Sequence, residues 1–503
     1  MRRGLGAMLL PALAAGAQGR EPYPGLDAYI NTAIAQWKVP GLAMAIVRND
    51  SVIYARGYGV REFGRPDPVT ERTIFAIGSS SKAFTAASIA MLVDEKKVGL
   101  DASPGTYLPG FQMFDPKVTR DLTVRDLLSH RSGLARGELA WYGSPFDRDD
   151  IVRRVRYLEP SWSFRSQFGY QNIMYIAAGQ VVAKVSGKSW DDFVRERIFT
   201  PLGMATSSTT IRGLEAVANK ATPHAEVNDT LRTIPWRNID NAGAAGSINS
   251  NVVEMAQWVR LQLGRGQYAG RRLYSARMAD EMHQAQTVIR VDSASRESMP
   301  ETHLKAYGLG WFLEDYRGRM MVHHGGNVDG FTALVAMMPE ERLGVVLLTN
   351  MNGTGLPTAL VHQVFDMHLK VPSKDWAGDG FKRLEAARAR AREAAARGPQ
   401  RVTGTKPSLP NSGYVGTYTD SLYGDVVITD RGGTLHLGFG PTWQGTLEHW
   451  HFDTFRVRFD TPVLPPVPVA FRIGAAGRVE GVELDMAGRA WFRRVPDAPP
   501  QNR

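Results

Sequence analysis

Phe75-Ala76-Ile77-Gly78-Ser79-Ser80-Ser81-Lys82-Ala83-Phe84 is the stretch where an apolar run hands over to a helix. Ser79 and Lys82 stand three residues apart. Positions i and i+3 share a helix face, so the hydroxyl and the amine come within hydrogen-bonding reach. A serine hydroxyl becomes a nucleophile only when a nearby base takes its proton. A lysine buried in a low-dielectric site can shed its charge and act as that base. The pair points to Ser-Lys acyl transfer. The four residues alone also fit an N-cap serine beside a solvated lysine, so the decision falls to the rest of the chain.

Outward from this stretch, apolar spacing predicts a helix over Leu26–Trp37. A β-hairpin follows, Leu42–Arg48 and Val52–Tyr58 around Asn49-Asp50-Ser51. The helix from Ser79 is expected to run to about Lys96. Further helices are expected over Leu122–Leu128, over Asn172–Ser186 with a stop at Gly187, and over Val252–Leu263. Gly308–Phe312, Met320–His324, Thr332–Met338 and Leu343–Thr349 read as strands. Strands therefore lie at both ends of the region and helices dominate between them. A sheet assembled from the two ends, with a helical subdomain inserted, accounts for that order. Residues 380–397 read as an exposed helix and Thr403–Gly413 as a linker. Beyond it, short alternating runs such as Val426–Thr429, Thr434–Leu437 and Thr454–Phe459 suggest an antiparallel sheet or small barrel.

With 503 residues the chain is too long for one core, so two domains are expected. Its 43% hydrophobic and 22% charged content is that of an ordinary globular protein. The net charge of +10 would suit a nucleic-acid partner, but part of the excess sits in the 380–397 helix. There Lys382, Arg383, Arg388, Arg390, Arg392 and Arg397 face only Glu385 and Glu393, and no aromatic residue interleaves after Phe381. That is a solvated helix and not a base-stacking surface, so no nucleic-acid partner is expected. The absence of cysteine removes disulfides, thiolate catalysis, cysteine-bound zinc and iron–sulfur clusters. Met1-Arg2-Arg3, the apolar Leu5–Ala15 and the small-x-small Ala15-Gly16-Ala17 read as a secretory signal peptide over residues 1–17. The apolar run is too short to span a bilayer, and with no cysteine no lipoprotein anchor is expected. An exported protein is expected, periplasmic in a double-membraned bacterium, without a stable membrane anchor.

Two later segments supply what the Ser79–Lys82 pair lacks. Gly169-Tyr170-Gln171-Asn172 opens a helix. A tyrosine beside a lysine can be held partly as phenolate or can relay a proton between serine and leaving group, and an asparagine can hold the lysine in place. In Val322-His323-His324-Gly325-Gly326-Asn327 a strand carrying histidine runs into glycines, which let backbone approach a substrate closely. The two histidines point to opposite faces of a strand and cannot share one metal ion, so one of them is expected to be a packing residue. No metal and no cofactor is expected, and no phosphate-cradling loop is present.

In this order, Ser79-x-x-Lys82, Tyr170-x-Asn172 and His324-Gly325-Gly326 resemble the three motifs of the penicillin-recognising serine hydrolases. The branch resembled contains class C β-lactamases, their esterase relatives and D-amino-acid peptidases. Leu127–Leu134, Pro201–Met204 and Tyr307–Trp311 are similar to landmarks of that branch. The likeness spans residues 24–370. It implies a mixed α/β fold, a β-lactamase-like antiparallel sheet with helices and an inserted helical subdomain. Residues 371–409 then form a linker with the exposed helix, and 410–497 resemble the small lipocalin-like β domain of some peptidase-like members.

The resemblance also implies roles. Ser79 would be the acylated nucleophile, with Lys82 and Tyr170 as the base and acid pair in either assignment. Asn172, His324, Gly325 and Gly326 would bind and orient substrate, and the backbone N–H groups of Ser79 and Asn327 would form the oxyanion hole. Members of that family often carry lysine where His324 stands. A neutral histidine favours peptide amides (D-residues included) or small carboxylic esters over carboxylate-bearing β-lactams. The expected function is thus a secreted hydrolase working on a small-molecule or peptide substrate. A β-lactamase and a non-catalytic binder of cell-wall peptides or a partner are the rivals. The β domain is left open as a lid, a wall of the site or a homo-oligomerisation surface.

Overall fold

A computed structural model describes residues 21–496 apart from Ser373, Pro399, Pro462 and Ala487, so the expected leader lies outside the described residues. The first sheet starts with the hairpin Gly41–Arg48 and Ser51–Gly59. Its turn residues Asn49 and Asp50 take φ of 49° and 63°, the left-handed pair a tight hairpin turn requires. The hairpin does not pair with the next segments of chain. Gly41–Arg48 lies instead beside Leu343–Thr349, with Leu42 opposite Thr349 and Arg48 opposite Leu343. The sheet continues through Phe331–Met338, Arg319–Val328, Phe312–Tyr316, Lys305–Tyr307 and Thr287–Ile289, eight strands in all and antiparallel throughout.

Both faces of this sheet are covered, which explains why its central strands read as continuous apolar runs. Along Gly41–Arg48, Ala43, Ala45 and Val47 join the cluster that holds Phe84 of helix Ser81–Asp94 and Trp258 of helix Val252–Leu263. Leu42, Met44 and Ile46 point the other way, into the cluster of helices Leu26–Trp37 and Leu356–Leu369. Residues between the N-terminal hairpin and the late strands form the helical subdomain, centred on Asn172–Ser186 packed against Ser81–Asp94. Among the described residues no helix is long and apolar enough to cross a membrane.

Three expectations are corrected. Residues 308–311 are not part of a strand but the turn between Lys305–Tyr307 and Phe312–Tyr316. Gly308 N donates to Trp311 O at 2.8 Å, and Gly310 has φ of 81°. Leu309 and Trp311 are buried although they lie in a turn, and an apolar run cannot distinguish a buried turn from a strand. The helix expected from Leu122 begins at Val124, where Thr123 and Asp126 close a capping box. The strand expected to end at His324 continues through both glycines to Val328, because Phe331–Met338 pairs with it along that length.

The helix Trp376–Ala396 docks by its first turn, with Trp37 Nε1 donating to Ala377 O at 3.1 Å, and is exposed beyond it. Two of its arginines meet carboxylates of the small hairpin His224–Thr233: Arg388 with Glu226 and Arg392 with Asp229. The expected linker over 403–413 ends in the short helix Asn411–Tyr414, whose Tyr414 is already part of the core of the C-terminal domain. Eight strands from Gly416–Asp420 to Arg489–Arg494 then follow in sequence order and close into a barrel. Consecutive antiparallel neighbours are the up-and-down arrangement, which leaves no edge strand. Its interior is filled by Tyr418, Phe439, Val457 and Phe492, among others.

Candidate active site

Only one of the three consecutive serines is free for chemistry. Ser80 Oγ donates to His324 O at 3.0 Å, and Ser81 Oγ donates to Gly78 O at 2.7 Å while accepting from Ile248 N. Those two tie the turn to the sheet and to the following helix. Ser79 lies in a 3-10 turn, Gly78–Ser80, that leads into helix Ser81–Asp94, and it lines a cavity of about 420 Å³. The α-helix thus starts two residues later than the spacing predicted.

Lys82 is fully buried. Its Nζ is 2.7 Å from Asn172 Oδ1, 2.7 Å from Ala245 O and 2.9 Å from Ser79 Oγ. A neutral amine has two N–H donors and one lone pair. The two carbonyl oxygens take both donors, which leaves the lone pair for the Ser79 hydroxyl proton. Burial holds the Lys82 pKa well below its ordinary value, with Glu138 opposing that shift and Arg136 assisting it. The Tyr170 hydroxyl hydrogen-bonds Ser79, and burial pushes its pKa up. The phenolate form considered from sequence is therefore disfavoured, and Tyr170 stands at the serine as a neutral hydroxyl able to pass a proton.

The strand Arg319–Val328 presses directly on the serine turn. A Cβ on Gly326 would run into the Ile77 carbonyl and lie 2.9 Å from Ser79 N, while one on Gly78 would lie 2.7 Å from Asn327 N. Only glycine permits this approach, which sets the backbone of Ser79 beside that of Asn327. The opening helix of 14 residues adds its positive end to the same place. Gly325 and Asn327 also line the cavity.

The two histidines separate as the strand period requires. His323 stacks on Phe312 at 5.5 Å, with its Nε2 3.3 Å from Glu314 Oε1. His324 is buried and lines the cavity. Its Nδ1 lies 2.6 Å from Gly325 O and its Nε2 2.9 Å from the Tyr307 hydroxyl. A carbonyl can only accept, so Nδ1–H donates to it and Nε2 accepts from Tyr307, which is the neutral tautomer. Burial, then the Lys82 charge, pushes the His324 pKa down to about 3.

Several residues of the site escaped the sequence reading. Arg136, Glu138, Trp141 and Tyr142 line the cavity from one loop. Arg136 Nε bonds Glu138 Oε1 at 3.0 Å, and both Glu138 oxygens lie 3.4 Å from Asn172 Nδ2. Burial raises the Glu138 pKa. His130 takes the Gln171 N–H at 3.0 Å and packs its ring 4.3 Å from that of Tyr170. It falls within the Leu127–Leu134 landmark, which carried a likeness but no role. Ala245 acts through its backbone, so no side chain could announce it. Among the described residues no group of three or more His, Asp or Glu could hold a metal ion.

The model of the Beta-lactamase family matches residues 26–364, and a domain of unknown function, DUF3471, matches residues 400–494. Unguisins hydrolase ungD of Aspergillus violaceofuscus is 29% identical over 92% of this chain and 89% of that protein. The structure of the octameric penicillin-binding protein homologue from Pyrococcus abyssi aligns with a TM-score of 0.63, 21% identity, and 93% of this chain and 99% of that one. The D-stereospecific amidohydrolase from Streptomyces sp. aligns with a TM-score of 0.55, 21% identity, and 69% and 99%. The chain belongs to the beta-lactamase family, and its C-terminal barrel is a separate all-β domain. It is a serine hydrolase of that family.

Buried neutral histidines give this fold an acid liability. Burial lowers His283 and His362 to about 4 and His324 to about 3, and holds His130 well below its ordinary value. Below pH ~6.5 the unfolded chain binds these protons and the folded chain does not. The part of the stability that depends on these histidines is therefore complete above that pH and falls as the pH drops toward 4, by up to about 1.4 kcal/mol per pH unit for each. Glu138, shifted upward, offsets at most one of them. The urea midpoint is expected to be clearly lower at pH 5 than at pH 7.5, and equal midpoints would contradict the assignment.

Proposed function

We propose that the protein hydrolyses peptide amides, D-residue peptides included, or small carboxylic esters through an acyl-enzyme on Ser79. The observation that carries the chemistry is the buried Lys82 Nζ, held by Asn172 Oδ1 and Ala245 O with Ser79 Oγ at 2.9 Å; in its neutral form it keeps a lone pair for the serine proton. In this reading Lys82 takes the hydroxyl proton and Tyr170 passes it to the leaving group. The Ser79 and Asn327 N–H groups receive the developing oxyanion, a contribution of about 10²–10³ in rate per donor. Water then repeats the cycle on the acyl-enzyme.

The choice of substrate rests on His324, whose neutral ring offers no fixed cation to a substrate carboxylate. A charged substrate would be met instead by the Arg136–Glu138 pair on the cavity wall. The proposal is tested by a side-by-side panel of a short-chain aryl ester, a D-alanyl anilide and a chromogenic cephalosporin. The ester and the anilide are expected to be cleaved faster. A cephalosporin rate far above both would overturn the ranking in favour of a β-lactamase.

A further inference from the structure

The loop that walls the cavity touches the barrel, and the two are far apart in sequence. From Arg136 to Ser144 its only regular structure is the 3-10 turn Glu138–Ala140, flanked by Gly137 and Gly143 in left-handed conformation. Hydrogen bonds inside the loop, such as Ala140 N to Gly137 O and Tyr142 N to Glu138 O, fold it into tight turns, and what it packs against decides where those turns sit. Its residues divide between two neighbours. On the hydrolase side Arg136, Glu138, Trp141 and Tyr142 line the cavity, Ala140 and Trp141 join the hydrolase core, and Asn241 Nδ2 donates to Trp141 O at 2.8 Å. On the other side Leu139 is buried in the barrel's own hydrophobic cluster.

The barrel also grips the loop backbone. Trp443 Nε1 donates to Tyr142 O at 3.0 Å, and its indole meets the Tyr142 ring edge-on at 5.6 Å. Gly143 lies so close that a Cβ there would sit 2.9 Å from Trp443 Nε1. Arg237 of the hydrolase domain completes the clasp, donating to Asp329 Oδ2 at 2.9 Å and to Thr442 Oγ1 of the barrel at 3.1 Å. Asp329 in turn accepts from the Tyr142 hydroxyl at 2.5 Å.

We infer that the C-terminal barrel is a specificity element, its Trp443 edge holding the Arg136–Ser144 loop as the wall that receives substrates extending beyond the scissile bond. Trp443 and Gly143 are positioning residues: neither lines the cavity, and both act through Tyr142 and its neighbours. A small ester that occupies only the space between Ser79 and the strand glycines has no need of that wall. An extended peptide has, and a displaced wall weakens its binding in ground state and transition state alike, which raises KM and leaves kcat.

The inference rests on the hydrolase reading, and its test separates the two. Trp443→Phe removes the indole donor and keeps an aromatic ring. Gly143→Ala pushes the loop off the barrel from the other side. Each is assayed on a short-chain aryl ester and on a D-alanyl-terminated tripeptide anilide, with barrel integrity followed by near-UV circular dichroism. For both variants KM for the peptide is expected to rise about tenfold or more at nearly constant kcat, with the ester parameters within about twofold of wild type. Unchanged peptide KM in both folded variants overturns the inference, and so does an equal loss on both substrates. A wild-type protein that cleaves neither substrate fails the hydrolase reading instead.

Discussion

Ser79→Ala is expected to abolish hydrolysis of every substrate the wild type accepts, a loss of about 10⁴–10⁶-fold in kcat. The fold should be untouched, because the structural hydrogen bonds of the serine turn belong to Ser80 and Ser81. Thermal unfolding and the release of chromophore from an aryl ester, measured on the same preparations, check both halves of this expectation. Retained hydrolysis would remove the nucleophile and with it the proposed mechanism. A wild-type protein that acylates once at Ser79 without turnover would instead favour the binder among the rival functions.

Lys82→Ala should lower the acylation rate by about 10²–10⁴-fold, the usual contribution of a positioned base. It differs from the serine variant in also costing stability. Asn172 Oδ1 and Ala245 O each lose a donor in a buried place, at about 1–3 kcal/mol apiece. Acylation must therefore be read per folded molecule, by rapid-quench mass spectrometry with the folded fraction determined in parallel. In the wild type the same rate should climb with pH while Lys82 loses its proton, at a pH well below that of a solvated lysine, and then level off. Near-normal acylation in the folded variant would exclude Lys82 as the base.

Much of this site was legible because its side chains recur in short, ordered motifs. Ser79, Lys82, Tyr170, Asn172 and His324 come together as the resemblance of their three ordered motifs implied. The illegible parts have physical causes. Ala245 contributes a carbonyl, and a carbonyl leaves no mark in a sequence. Tyr307 stands in the Tyr307–Trp311 landmark without a role, and its hydroxyl, which sets the tautomer of His324, can be placed only once the strand Lys305–Tyr307 is known to lie two strands from the histidine. Arg136 and Glu138 sit on a loop that also touches Trp443, about 300 residues later, and no local pattern encodes such a contact. Helices were predicted well where both ends carry capping signals, as in Asn172–Ser186 with Gln171 and Gly187. They were misjudged where an apolar run continued past the cap, as before Val124.

The pairing of Gly41–Arg48 with Leu343–Thr349 has a consequence for how the molecule comes into being. About 300 residues of chain must be made between the two strands, some 15–60 s at about 5–20 residues per second. Through that interval the apolar hairpin waits with one edge unpaired, a template for wrong partners. Any ribosomal product that stops short of Thr349 would keep that edge for good. The hydrolase domain thus closes its sheet late, and the helix Leu356–Leu369 that covers one face of the hairpin is made later still.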